Sequence, residues 1–205
     1  MVVDIVYPLG AGGAAGAHNV RVAGNEPLSE RLIAVGVELL EREGPDRLGL
    51  RAITRAAGVS HGAPRRHFPT HKALLAAIAT RGFADLAARF AAADDESAPA
   101  RDRLRRMAVD YVGFAATRPQ MFTLMFRHDL LEGSGANLRA TTLPLFDRFA
   151  ALVRQACPTA PDRALVLWTA LHGLATLRAN RSLSLVAPTT DDSTLVDEIL
   201  ELHLG

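Results

Sequence analysis

The chain has 205 residues, of which 49% are hydrophobic and 5% aromatic, and its formal net charge is +1. Ala and Leu dominate and β-branched residues are sparse, a mixture that favours helix over strand and supplies core for one large domain or two smaller ones. The single cysteine, Cys157, excludes an internal disulfide framework and fits a reducing, cytoplasmic compartment; no apolar run approaches the roughly 20 residues of a membrane span.

The N-terminal stretch MVVDIVYPLGAGGAAGA superficially looks like a secretory signal. It lacks a basic opening segment, carries Asp4 inside its apolar part and is broken by Pro8 and Gly10. Residues 1–26 are expected to be a flexible Gly/Ala-rich tail. Their glycines follow no good strand and open no good helix, so a dinucleotide-binding role is set aside.

The first helix is expected over residues 27–43, with Ser29 as N-cap, Glu30 at the positive end, and Leu32, Val35, Gly36, Leu39 and Leu40 on one apolar face. Gly44 and Pro45 end it. A short second helix is expected over 50–57, with Gly49 as N-cap and Leu50, Ile53 and Ala57 facing inward. Gly58 then allows a left-handed turn. Val59 is expected as a buried plug, and Ser60 as the N-cap of a third helix over 61–67 with Pro64 in its first turn. Phe68 anchors that helix and Pro69 stops it. A long fourth helix runs from near His71 or Lys72 to about Ala93, capped by Thr70. Further helices are expected over 100–117, 119–131, 136–156, 161–179 and 191–204, separated by Gly-, Pro- and Thr-rich connectors. No strand alternation and no internal repeat is present.

The small net charge conceals an asymmetry. Residues 29–82 carry nine cations against five carboxylates, and no acid lies between Arg47 and Arg81. A helix, a four-residue turn and a short cationic helix describe a helix-turn-helix, whose second helix enters the major groove of DNA. Small residues, Gly62 and Ala63, let the helix start approach the duplex. Arg65 and Arg66 can reach guanine edges or phosphates, a bidentate guanine contact giving about 1–3 kcal/mol of discrimination. Arg51, Ser60, His61, Gly62, Arg65, Arg66, His67, His71 and Lys72 are the expected DNA contacts.

In its spacing, RLIAVGVELLEREG…LRAITRAAGVSHGAPRRHFPTHKALLAAIA resembles the N-terminal domain of TetR-type transcriptional regulators, over about residues 27–87. The C-terminal segment WTALHGLATL is similar to the regulatory domain of the WHG subgroup, with Trp168, His172 and Gly173 in the naming positions. Three departures stand out: Arg65 replaces a habitual Tyr, His71 replaces the usual Lys with Lys72 one place later, and Thr54 replaces a habitual Ala.

The expected architecture is all-α: a flexible tail (1–26), a helix-turn-helix domain (27–87) and an effector-binding and dimerisation domain (88–205). The expected function is a ligand-responsive DNA-binding regulator, a repressor released from its operator by a small apolar effector. Pocket candidates are Met107, Tyr111, Phe114, Met125, Phe126, Trp168 and His172, because methionine adapts in shape and aromatics stack on ligands. The resemblance implies a homodimer in which the last two helices of each subunit form a four-helix interface, with Leu167, Leu171, Leu174, Leu195, Ile199 and Leu200 as candidates. The partners expected are double-stranded DNA bearing a pseudo-palindromic operator and the effector, with no membrane and no cofactor.

No metal site is expected: His67 and His71 are separated by Pro69, and no Cys or acidic ligand is near in sequence. The chain contains no G-x-S-x-G, H-E-x-x-H or P-loop, so no catalytic set is expected. Cys157, before Pro158, reads as an ordinary thiol at a helix end. The rival reading is a helical small-molecule-binding protein or enzyme with no DNA-binding activity.

Overall fold

The computed structural model describes residues 27–205; the expectation for the tail lies outside them. These residues form ten α-helices and three 3-10 turns, with no strand among them. No helix among them is long and apolar enough to cross a membrane.

Helix α1 (Leu28–Glu43) buries Leu32, Ile33, Val35, Leu39 and Leu40. It starts earlier than Ser29 capping requires: the Pro27 carbonyl accepts the first bond, from the Arg31 N–H at 3.1 Å, and Ser29 lies within the first turn. A 3-10 turn (Pro45–Arg47) leads to α2 (Leu50–Ala56). The third element is shorter and tighter than expected, a 3-10 turn over Ala63–Arg66. Pro64 has no N–H to give to the Ser60 carbonyl, so the four-residue ladder cannot start there, and the Arg65 N–H bonds the Gly62 carbonyl instead, at 3.3 Å.

Helix α3 (His71–Ala93) begins where Thr70 caps it, its hydroxyl accepting the Ala73 N–H at 3.0 Å. It has 23 residues, so it spans about 34 Å. The expected domain boundary at residue 87 falls inside it, and the helix packs both on α1 and on helices of the C-terminal half.

Helix α4 (Ala100–Thr117) is the centre of the C-terminal half and touches α3 and the helices over Pro119–Met125, Arg139–Ala156, Ala164–Ala179 and Asp192–Leu204. The helix expected over 119–131 divides into α5 (Pro119–Met125) and α6 (His128–Leu131). The break sits at Phe126 and Arg127, where the Phe126 ring turns in against Phe83 and Arg127 reaches Asp46 at 3.1 Å and Asp129 at 2.8 Å. Tertiary contacts here override local helix preference. Gly82 makes the α3–α5 approach possible, since a Cβ there would lie 2.6 Å from the Met121 sulfur.

Helices α7 (Arg139–Ala156), α8 (Ala164–Ala179), α9 (Leu183–Val186) and α10 (Asp192–Leu204) complete the chain. Helix α9 is absent from the sequence-based expectation. Just after α3, the Asp94 carboxylate accepts hydrogen bonds from Arg103 at 2.8 Å and from Arg148 of α7. Those guanidinium groups hold its carboxyl well below the usual carboxylate range, against the opposing effect of burial.

Candidate nucleic-acid interface and effector cavity

The turn between α2 and the 3-10 element is fixed by backbone bonds. The Val59 N–H reaches the Thr54 carbonyl at 3.1 Å and the Gly58 N–H reaches the Arg55 carbonyl at 3.2 Å, with Gly58 at φ 66°. This is a Schellman end, which needs a residue tolerant of positive φ. Ile53 is fully buried and Phe68 is 9% exposed, so both anchor the motif as expected. Val59 is only half-buried, a side support rather than a plug.

Arg51, Arg55, Ser60, His61, Gly62, Arg65, Arg66 and His67 are all exposed. Among the described residues none of the four arginines has a carboxylate partner. Four unpaired guanidinium groups around one tight turn repel one another in the free protein, and a polyanion relieves that repulsion.

The buried Thr54 hydroxyl donates to the Arg51 carbonyl at 3.1 Å and lies 3.3 Å from the Nδ1 of His61. A hydroxyl has one proton, so with that proton on Arg51 the His61 Nδ1–H donates to Thr54. The ring is thereby tethered to α2. The Thr54 departure thus positions the exposed His61 ring.

Two expected contacts are placed elsewhere. His71 is half-buried, its Nε2 2.7 Å from the Leu48 carbonyl, so it ties the start of α3 to the loop before α2. The Lys72 ammonium donates to the carbonyls of Glu132 at 2.9 Å and Asp129 at 3.4 Å. The four-residue α6 leaves its last carbonyls without helical partners, and the ammonium satisfies them. Lys72 is therefore a link to the C-terminal half in this structure, not a free phosphate ligand.

That link has neighbours. The Glu41 carboxylate of α1 accepts the Gln120 and Met121 N–H groups at 3.3 and 3.2 Å, at the opening turn of α5. Arg118 lies 3.4 Å from Glu41 and 2.7 Å from Asp85. None of these polar ties is visible in the sequence; the oppositely charged partners are too distant along the chain for spacing to reveal them.

A cavity of about 400 Å³ opens in the C-terminal half. Of the expected pocket residues, Met107, Tyr111, Met125, Phe126 and Trp168 line it. Phe114 and His172 do not. Phe114 is fully buried on another face of α4, beneath Arg89 and Arg118. His172 lies behind the wall, stacked on Trp168 at 5.0 Å, with Nδ1 2.7 Å from the Tyr111 hydroxyl oxygen. Sequence reasoning missed the contribution of α3 (Phe83, Leu86, Phe90) and of α7 (Arg139, Thr142, Phe146, Phe149). The Phe146–Phe149 spacing was the available signal for α7.

Burial pushes the His172 pKa down and the Tyr111 pKa up, so at neutral pH the ring is uncharged and its Nδ1 is hydrogen-bonded to a neutral Tyr111 hydroxyl. A histidine with a lowered folded value is penalised when the unfolded chain would bind a proton. Stability is therefore expected to be full above about pH 6.5 and to fall as pH drops through that value. The fall in melting temperature between about pH 7.5 and 5.5 should be smaller in His172→Gln; an equal fall in both proteins would refute the assignment.

The expected interface residues divide by burial. Leu167, Leu171, Leu174 and Leu200 are buried within the protomer, and Leu195 and Ile199 are half-buried. The exposed apolar side chains of the same region are Leu165, Val166 and Leu177 on α8, Leu185 and Val186 on α9, and Leu202 on α10. Among the described residues no group of three or more His, Cys, Asp or Glu side chains is placed to hold a metal ion.

A cationic segment, exposed and without carboxylate partners among the described residues, carried on α2 and the 3-10 turn that follows it, fits a helix-turn-helix DNA-binding protein. Two family models match the chain: bacterial regulatory proteins of the tetR family over residues 32–78, and the tetracyclin repressor-like C-terminal domain over residues 104–201. The chain belongs to the TetR family and is a DNA-binding transcriptional regulator. A protein of unknown function from Rhodococcus sp. RHA1 is similar in structure, with 29% identity, TM-score 0.74, and coverage of 90% of this chain and 100% of that one. Two further regulators from the same organism share the fold at 22% identity: one has TM-score 0.68 with 87% and 95% coverage, the other 0.67 with 88% and 96%. No curated protein matches the chain.

Proposed function

We propose that the chain acts in the cytoplasm, on nucleoid DNA, as a homodimeric repressor released from its operator by a small apolar effector. The observation that carries this reading is the pairing, through one continuous helix, of an unneutralised cationic face with an apolar cavity. Arg51, His61, Arg65, Arg66 and His67, with Ser60 and Gly62 allowing close approach, contact the duplex. One such element gives little affinity, so two copies about 34–36 Å apart read a pseudo-palindrome. The exposed leucines and valines of α8, α9 and α10 supply the dimer surface, and Trp168, His172 and Gly173 support a WHG-type C-terminal domain.

Release follows from differential affinity of the effector for two dimer geometries. Met125, Phe126, His128 and Leu131 line the cavity, and the same segment carries Arg127 and the carbonyls held by Lys72. A ligand that displaces α6 therefore alters the ties to the DNA-binding half.

Selection of bound duplexes from a random DNA pool tests the reading. Enrichment of an inverted repeat, with binding weakened by added lipophilic compounds, is the expected result. Failure to enrich any sequence at low salt would favour a helical ligand-binding protein or enzyme without DNA activity.

A further inference from the structure

The cavity is graded in polarity. Its inner lining is buried and apolar: Phe83, Leu86, Met107, Phe149 and Leu171 are each less than 8% exposed. The inner hydroxyl, on Tyr111, is already engaged by His172 at 2.7 Å. A carboxylate carried to the inner end would lose its water among these apolar side chains, where the Tyr111 hydroxyl is already paired. The exposed lining residues, His128, Arg139 and Leu143, mark the rim, and Thr142 beside them is half-buried.

The charged side chains that line that rim are basic. The ionisable lining residues apart from Tyr111 are Arg139 and His128, and no carboxylate lines the cavity. His128 faces Glu132 at 3.8 Å, which offsets its charge when protonated. Arg139 has no ion-pair partner among the described residues. It is also the first residue of the 18-residue α7, whose N-cap, Leu138, provides no side-chain hydrogen bond, although the neighbouring Asn137 Oδ1 accepts the Ala140 N–H at 3.3 Å. The positive end of that helix therefore adds to the guanidinium in the same sense.

We propose that the cavity takes an amphipathic carboxylate, its apolar body among the α3, α4 and α7 side chains and its carboxylate on the Arg139 guanidinium at the rim. This rests on the effector-cavity reading above and names the chemistry of the ligand. A volume of about 400 Å³ suits a single medium-length chain or a small ring system rather than a bulky polycycle. Guanidinium and carboxylate match in planar, bidentate geometry, and Thr142 can donate to the remaining oxygen lone pairs.

The protein carries its own reporter, because Trp168 is its single tryptophan and lines the cavity. Trp168 emission is titrated with decanoate, decan-1-ol and decyltrimethylammonium, each below its micellar concentration, in wild type and in Arg139→Gln. Arg139 is exposed, so the variant retains the fold. Decanoate should bind wild type about tenfold more tightly than decanol, and Arg139→Gln should erase that advantage while leaving decanol binding unchanged. Arg139→Lys should restore part of it.

Equal binding of decanoate and decanol, preference for the ammonium, or an Arg139→Gln variant that keeps the carboxylate advantage would each overturn the proposal. Ala108→Leu, which fills the buried end, separates this from failure of the cavity reading. Decanol binding that Ala108→Leu blocks, without carboxylate preference, removes the carboxylate assignment alone. Absence of binding by all three probes to wild type removes both.

Discussion

Replacing Arg65 and Arg66 together with alanine is expected to abolish sequence-specific operator binding at physiological salt. Each arginine stands exposed without a carboxylate partner, so in the free protein its loss removes no ion pair among the described residues. Folding should be unaffected, because surface substitutions of this kind change stability by about 0.5 kcal/mol or less. Binding is another matter. A bidentate guanine contact gives about 1–3 kcal/mol of discrimination, and a two-fold dimer makes each contact twice. Where an arginine meets phosphate instead, the slope of log affinity against log salt should flatten by about 0.9 for each phosphate no longer neutralised. Fluorescence anisotropy on the selected operator at two or more salt concentrations reads both quantities. An unaltered affinity and slope would remove this turn from the DNA interface.

Phe68→Ala is expected to have the opposite character: a large loss of stability, with no change in the charge of the interface. Phe68 is 9% exposed, donates its N–H to the Pro64 carbonyl at 2.7 Å and packs in the same core as Ile53, Leu48 and Leu74. Removing its ring forfeits the buried area and leaves a cavity, at a cost of about 3–5 kcal/mol. The cationic turn would then lose its anchor, so DNA binding falls as well, through disorder of the motif. Chemical denaturation measures the stability change, and amide exchange across α1 and α2 shows whether the loss is confined to the N-terminal half. A denaturation midpoint equal to that of wild type would show that the ring holds nothing.

The contrast between these variants follows from how local each signal is. Helix limits at Glu43, Thr70, Ala93 and Thr117 are legible because caps and breakers act within a few residues: Gly44, the Thr70 hydroxyl, Asp94 and Pro119. The Gly58 turn is legible for the same reason. The element after it differs in type from the expected α-helix, since Pro64 removes the bond an α-turn there needs instead of merely opening it. Arg65 and Arg66 remain readable as exposed because few neighbours at a tight turn can bury a long charged side chain.

Side-chain destinations across elements are not legible. Lys72 follows His71 at the start of α3, and nothing in sequence shows that carbonyls at 129 and 132 wait for it. Helix α8 is apolar on every side, so periodicity cannot tell the stripe facing α4 from the stripe facing outward. Leu167, Leu171 and Leu174 go to the protomer's own core, and Leu165, Val166 and Leu177 to its surface.

The amino-acid sequence by itself determined that this protein is helical, that its N-terminal half presents a cationic helix-turn-helix, and that it resembles the family to which it belongs. Those properties depend on composition, spacing and capping, which operate over a few neighbouring residues. Only the tertiary structure decided where the cavity lies, that Arg139 sits at its rim, that His172 stands behind its wall, and that α5 and α6 tie the two halves together. Such features need residues tens of positions apart to meet, and that meeting is settled by the packing of whole helices against one another.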